Sequence, residues 1–222
     1  LGCASCSQDE ETQVNQQNLV VLNVADTGLV SSESQTRTVD DGFVTTFTQG
    51  DQLGLFAVKD GVIMDEINNM LLTYNGSSWS GKPILYDESL EGVVFYAYYP
   101  YKENITIDMT KEDPFETIVG NWTVDTDLSG DRYTNNDLMT GEASADGSTI
   151  TFVMNHRMAL MVAELPSVTY NFTNEVSPEL PSYSVSLREV KFSIGEQVII
   201  PYYDKETTTY RVLVNPTKKV EQ

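Results

Sequence analysis

The sequence predicts an all-β protein, a β-sandwich of transthyretin-like or Greek-key order. Three observations carry the prediction: short runs of β-branched and aromatic residues recur along the chain, turn residues separate them, and helical periodicity is weak nearly everywhere. The densest run, residues 92–101, reads GVVFYAYYPY and contains a proline that cannot continue a ladder. Its alternate members fall into two sets: Val93, Phe95, Ala97 and Tyr99, against Val94, Tyr96 and Tyr98. Neither set is polar, so the run reads as a central strand covered on both faces.

The remaining elements follow in order. Residues 7–18 are polar, rich in Gln, Asn and Glu, and read as a tether with little to bury. Leu19, Val20, Val21, Leu22 and Val24, with Asn23 among them, form the first strand. Residues 31–38 are again a polar link and contain Arg37, which is the only basic residue before Lys59. Residues 50–58 give a turn and a strand, and residues 64–80 lead into a hairpin whose turn signal is Asn75-Gly76. Residues 104–109 alternate with period two and read as extended, while 125–137 form a loop of Asp, Asn, Ser and Gly. Residues 149–165 predict a strand to about Val153, a helical turn or a bulge, then a second strand closed by Pro166. Further strands are expected at 168–172, 183–194, 197–203 and 208–214. The chain thus divides into residues 1–17, a leader remnant and tether; 18–166, an N-terminal β-sandwich; and 167–222, a partial or reduced second β domain.

Among 222 residues, 33 acids stand against 13 bases, a formal charge of −20. A polyanion would be repelled by such a surface, so nucleic acid is excluded as a partner. No apolar run is long enough to span a bilayer. Both cysteines, Cys3 and Cys6, lie within the first six residues, where a disulfide would restrain almost nothing. Small residues lead up to a cysteine and the acidic Ser7-Gln8-Asp9-Glu10-Glu11 follows. This start resembles the end of a bacterial lipoprotein signal peptide followed by an acidic export tag, which makes Cys6, or else Cys3, the lipidated residue. A lipid anchor to the outer membrane needs no other membrane element.

Catalytic material is sparse. His156 is the sole histidine, and no G-x-S-x-G elbow accompanies it, so it reads as a hydrogen-bonded structural residue. Zinc has poor raw material, and paired acids in so acidic a chain carry no information. No enzyme and no cofactor are expected. Asp125, Asp127, Ser129 and Asp131 start like a calcium loop with a glycine at the sixth place, but Asn136 stands where the bidentate Glu belongs, which favours a solvated turn. Trp79, Trp122 and Tyr98 offer either stacking faces for a glycan or packing at the core edge.

Several of these pieces together resemble the fimbrillin family, the type V pilins and Mfa-like surface lipoproteins of Bacteroides and its relatives. The matching segments are the lipoprotein-like start, Thr36-Arg37-Thr38, Gly50-Asp51-Gln52-Leu53-Gly54-Leu55-Phe56, the hairpin at Asn75-Gly76, the aromatic strand, Asn136-Asp137-Leu138-Met139, and residues 152–160 with His156. The resemblance implies paired β-sandwich domains without catalysis, exported as a lipoprotein to build or decorate surface fimbriae. It implies that an arginine-specific protease cuts at Arg37, that Leu19, Val20, Val21, Leu22 and Val24 are displaced, and that another subunit adds a strand in their place. An edge left open in this way exposes unpaired amides and an apolar groove, so strand addition gains both. Partners on this reading are other fimbrial subunits, the outer membrane through the lipid, and a host protein or glycan. The alternative is an accessory glycan- or protein-binding lipoprotein of an outer-membrane nutrient-uptake complex. The chain departs from the family at its end, where a full second sandwich is expected; residues 208–214 are either the late donor strand or a strand needed at home.

Overall fold

The structure, a computed structural model, describes residues 19–26, 28, 45–165, 168–171, 182–185 and 187–218. In chain order the described elements are β1 (Val21–Asp26), β2 (Gln52–Lys59), β3 (Val62–Ile63), β4 (Met70–Tyr74), β5 (Trp79–Gly81), β6 (Val94–Tyr99), α1 (Glu116–Asn121), α2 (Arg132–Asn136), β7 (Met139–Asp146), β8 (Thr149–His156), β9 (Ala159–Glu164), β10 (Val168–Asn171), β11 (Ser182–Val185), β12 (Phe192–Ile194), β13 (Gln197–Ile199), β14 (Tyr202–Asp204) and β15 (Thr209–Val214). The fold is all-β with two short helices. One sheet runs β1-β8-β7-β6-β2-β4-β5 with β3 beside β2; a second runs β14-β15-β9; β10-β11 and β12-β13 are hairpins. Within the large sheet only β1 with β8 is a parallel pair.

Strand β6 sits mid-sheet and is buried on both faces, as its two apolar sets require. Phe95, Ala97 and Tyr99 join Leu53, Leu55, Phe152 and Met154 in one core. Tyr96 and Tyr98 join Phe56, Phe115, Trp122, Val212 and Leu213 in the other. Helix α1 and the β14-β15-β9 sheet thus roof the second face. Fully burying one such side chain stabilises by roughly 1.5–3 kcal/mol, so two cores on one sheet supply most of what holds it. Tyr98 is wholly enclosed, and its ring lies over Gly54, its cross-strand partner. A Cβ on Gly54 would meet Tyr98 Cε1 at 2.1 Å, so only glycine admits the ring. The phenol donates to Asn69 Oδ1 at 2.7 Å, which satisfies the one polar atom buried there.

The sequence expectations at residues 104–109 and 125–137 are revised. Residues 104–109 form no strand: Ile107 is buried and Ile105 and Met109 partly so in the second core, but among the described residues no strand pairs with them. The alternation there records one-sided burial without a ladder. The 125–137 loop contains α2, and α1 lies ahead of it. Strand β7, with its small and polar residues, is central although its β-propensity is low; Gly141 is needed there because a Cβ would come within 2.9 Å of Met154 Sδ. The hairpin turn spans residues 75–78, where Asn75 Oδ1 accepts the amides of Ser77 and Ser78, both at 3.0 Å. Strand β8 runs on to His156 before the chain breaks at residues 157–158 and enters β9.

Strand β15 lies beyond the expected domain boundary yet pairs along its length with β9, which lies before it. Asn215 then donates to the carbonyls of Val119 and Trp122 at 2.6 and 2.9 Å, closing the end of α1. With β14 on one side and β9 on the other, and with Val212 and Leu213 fully enclosed, β15 is in use within this chain.

Replacing Gly54 with Ala should cost roughly 1–3 kcal/mol of stability by overpacking. Gly120→Ala in α1, where nothing lies within 4 Å of the added Cβ, should be neutral or stabilising by up to about 1 kcal/mol. Denaturant melts of the two variants check the contrast.

Candidate functional site

The two ends of the large sheet return to each other at β1. Along one edge β1 pairs with β8 from Val21 opposite Thr149 to Asp26 opposite Met154. Along the other, among the described residues, it is joined by the bridge of Leu19 with Leu85 and the bond from Val20 N–H to Ile84 C=O at 2.9 Å. Period two sets Val20, Leu22, Val24 and Asp26 inward and leaves Val21 53% exposed. Leu22 packs into the core with Ile150, Phe152 and Trp79, so the strand covers an apolar wall while bonded along a single full edge. Beside it a cleft of about 260 Å³ is lined by Val24, Ala25, Asp26, Thr45, Thr46, Phe47, Tyr74 and Trp79. Phe47 closes its floor, edge-on to Trp79 at 5.2 Å and to Tyr99 at 5.3 Å.

At the inner end of β1 stands a buried ionic cluster. His156 Nε2 meets Asp26 Oδ2 at 3.0 Å and Nδ1 meets Asp137 Oδ2 at 2.9 Å, with side chains 3%, 0% and 5% exposed in the order His156, Asp26, Asp137. Asp26 also accepts the amides of Thr45 and Gly28, which ties residue 45 back to β1. Burial opposes charge on His156, but its bonds to Asp137 and Asp26 prevail and raise the imidazole to about 9. Burial likewise works to raise Asp26, and the bonds from His156, Thr45 and Gly28 outweigh it, holding the carboxyl below its ordinary value. For Asp137, the more enclosed acid, burial wins and the carboxyl is raised. The cluster is a charged tie between β1, β8 and the segment before β7.

Other sequence candidates take these places. Leu19, Val20, Val21, Leu22 and Val24 lie at the seam just described. Cys3, Cys6 and Arg37 lie outside the described residues. In the calcium-like loop, Asp127 receives Arg132 and the Ser129 amide and hydroxyl, and Asp125 is bonded on both its amide and carboxylate by Asn136. Asp131 C=O accepts the Thr134 hydroxyl, and Ile200 bonds the backbone at residues 126 and 128, stitching the loop to the strand region after β13. No group of three or more His, Cys, Asp or Glu converges for a metal among the described residues. Of the two readings of Trp79, Trp122 and Tyr98, packing holds: all three are buried in the cores, and the Trp122 indole donates to Asn136 C=O at 2.9 Å. Asp26 and Asp137 were missed as partners of His156. The usable signal was parity: His156 continues the inward series Ile150, Phe152 and Met154, and a buried histidine calls for an acid.

Fold and site together define an all-β domain closed by a single edge strand. The chain belongs to the fimbrillin-like family, whose model matches residues 36–192. It is 48% identical to the protein named "Putative fimbrium tip subunit Fim1C" of Bacteroides ovatus, over 98% of this chain and 44% of that one. It is also similar to the crystal structure of a fimbrial protein from Bacteroides ovatus, at a TM-score of 0.75 and 45% identity, covering 90% of this chain and 42% of that one. The chain thus spans less than half the length of either relative. Among the described residues no helix is long and apolar enough to cross a membrane.

The cluster fixes a pH dependence. Because His156 is raised from 6.5 to about 9 on folding, its contribution is complete below pH 6.5 and is lost as pH rises through about 9. Asp26 is depressed, so its part is present above pH 3.8 and is lost as pH falls below that. His156→Gln should lower stability by on the order of 3 kcal/mol at pH 6 and flatten the alkaline limb, as read from urea melts between pH 6 and 10.

Proposed function

We propose that this chain is a structural or adhesive subunit of cell-surface fimbriae and has no catalytic role of its own. The observation that carries the reading is the placement of β1: it closes a curled sheet, covers an apolar wall, and is paired in full along only one edge. In sequence it is followed by Arg37 before the next described strand begins. Cleavage at Arg37 would detach Leu19, Val20, Val21, Leu22 and Val24 from the rest of the domain and leave β8 as a template for a strand from another subunit. Each backbone bond regained contributes only about 0.5–1.5 kcal/mol net, so affinity rests on refilling the places of Val20, Leu22 and Val24. Family membership and two fimbrial relatives support the fibre assignment. Strand β15, held between β9 and β14, is a poor source of that strand, which leaves the donor to another part of the assembly.

The subunit reaches the outer surface as a lipoprotein acylated at Cys6, with Cys3 the second candidate, and its partners are other subunits by strand addition, the outer membrane through the lipid, and a host protein or glycan at the exposed end. The nutrient-uptake reading has less to stand on, because Trp79, Trp122 and Tyr98, the aromatics singled out for sugar stacking, are buried.

Treatment of the full chain with an arginine-specific protease should cut at residue 37 and open the β1 place to an added peptide covering residues 18–28, read as a complex on size exclusion, while Arg37→Ala takes up none. Cleavage after which the added peptide still fails to bind would reject strand replacement. In cells, Cys6→Ala should abolish incorporation of labelled palmitate and release the protein from the membrane fraction, whereas Cys3→Ala should do neither.

A further inference from the structure

The place that β1 fills demands more than alternating apolar side chains. Its inward positions are 20, 22, 24 and 26, and the last holds an acid. The Asp26 carboxylate, fully enclosed, meets His156 Nε2 at 3.0 Å, and the other ring nitrogen meets Asp137 at 2.9 Å. His156 ends β8, the strand on which β1 lies, so the ring stays behind whenever β1 leaves, and Asp26 does not. What remains around the ring cannot replace that acid. From β6 and α2, Tyr99 and Tyr133 act on Asp137 but are held in the neutral form by burial. Arg157, next in the chain, is directed to Asp113 and Thr140. Asp137 is itself short of partners, its Oδ1 making no hydrogen bond among the described residues. A buried ring shared by two acids would keep one, and removing one partner of a buried ion pair is strongly destabilising.

We propose that His156 makes the β1 position selective for strands that carry a carboxylate two residues beyond their last inward apolar side chain. An incoming strand lying in the β1 register therefore needs Asp or Glu where Asp26 now stands. Asn at that place can accept the Nε2–H bond but cannot balance the ring's charge, and Lys or Arg there adds a like charge, so wrong strands are rejected by penalty as well as by lost attraction. This selectivity rests on the strand replacement proposed above and specifies its partner.

The test offers two peptides covering residues 18–28, blocked at both ends, one native and one with Asp26→Asn, to the full chain carrying Leu22→Ser to loosen the resident strand. Fluorescence anisotropy of labelled peptide should give at least tenfold tighter binding of the native peptide at pH 7. The preference should shrink as pH rises past 9, and it should vanish when His156→Gln is added to the receiving chain. Equal affinity for the two peptides, or a preference that survives His156→Gln, overturns the selectivity while strand replacement stands. Binding of neither peptide overturns both. Should Leu22→Ser fail to fold, hydrogen exchange at the β8 amides of the unaltered chain, with each peptide in excess, reads the same preference.

Discussion

The structure depends on one sheet having to bury both of its faces. Strands β2 and β6 are apolar on either side, so neither core can form without the sheet, and the sheet has no water-facing solution at its centre. The first face is closed by the sheet curling until β1 approaches its far end. The second is closed by material from far along the chain, namely α1, the 101–138 segment and β15. Tight spacing follows from this. Gly54 under Tyr98 and Gly141 against Met154 are small because two packed layers leave no room for a Cβ.

Within that frame β1 is an edge strand of the large sheet. Among the described strands of that sheet it is the one parallel partner among antiparallel pairs, and its outer edge is held at one end. Its hold on the domain has two parts of different character. Val20, Leu22 and Val24 contribute non-directional burial that any apolar strand could supply. The Asp26–His156–Asp137 tie is directional and charged, and it is sensitive to pH in a way that burial is not. A strand held mostly by replaceable burial, with one exacting contact at its end, suits an edge where affinity and selectivity are set separately.

Membership in the fimbrillin-like family gives this seam its meaning. A closed edge strand keeps an apolar wall from pairing at random, and the proposed assembly would use the same edge once it is opened. Strand β15 is committed to covering the second face of this domain. Trp79, Trp122 and Tyr98 are spent on packing.

Much was legible in the sequence because it depends on period and local chemistry. The all-β class, the doubly buried strand at residues 92–101, the first strand, the strand pair around His156 and the late strand at 208–214 all follow from alternation and turn residues, which act within a few residues of themselves. What failed did so for lack of a neighbour: residues 104–109 alternate without a ladder, and β7 is a strand only because β6 and β8 flank it. The lone histidine was readable as structural, but Asp26 is 130 residues from it along the chain, and no local pattern reaches that far. The sequence by itself determined which side chains must be hidden and how each run alternates. Tertiary structure alone decided which runs meet, that β1 closes the sheet, and that a single imidazole joins its end to β8, because pairing and charge contact are set by distances between chain segments and not by the segments themselves.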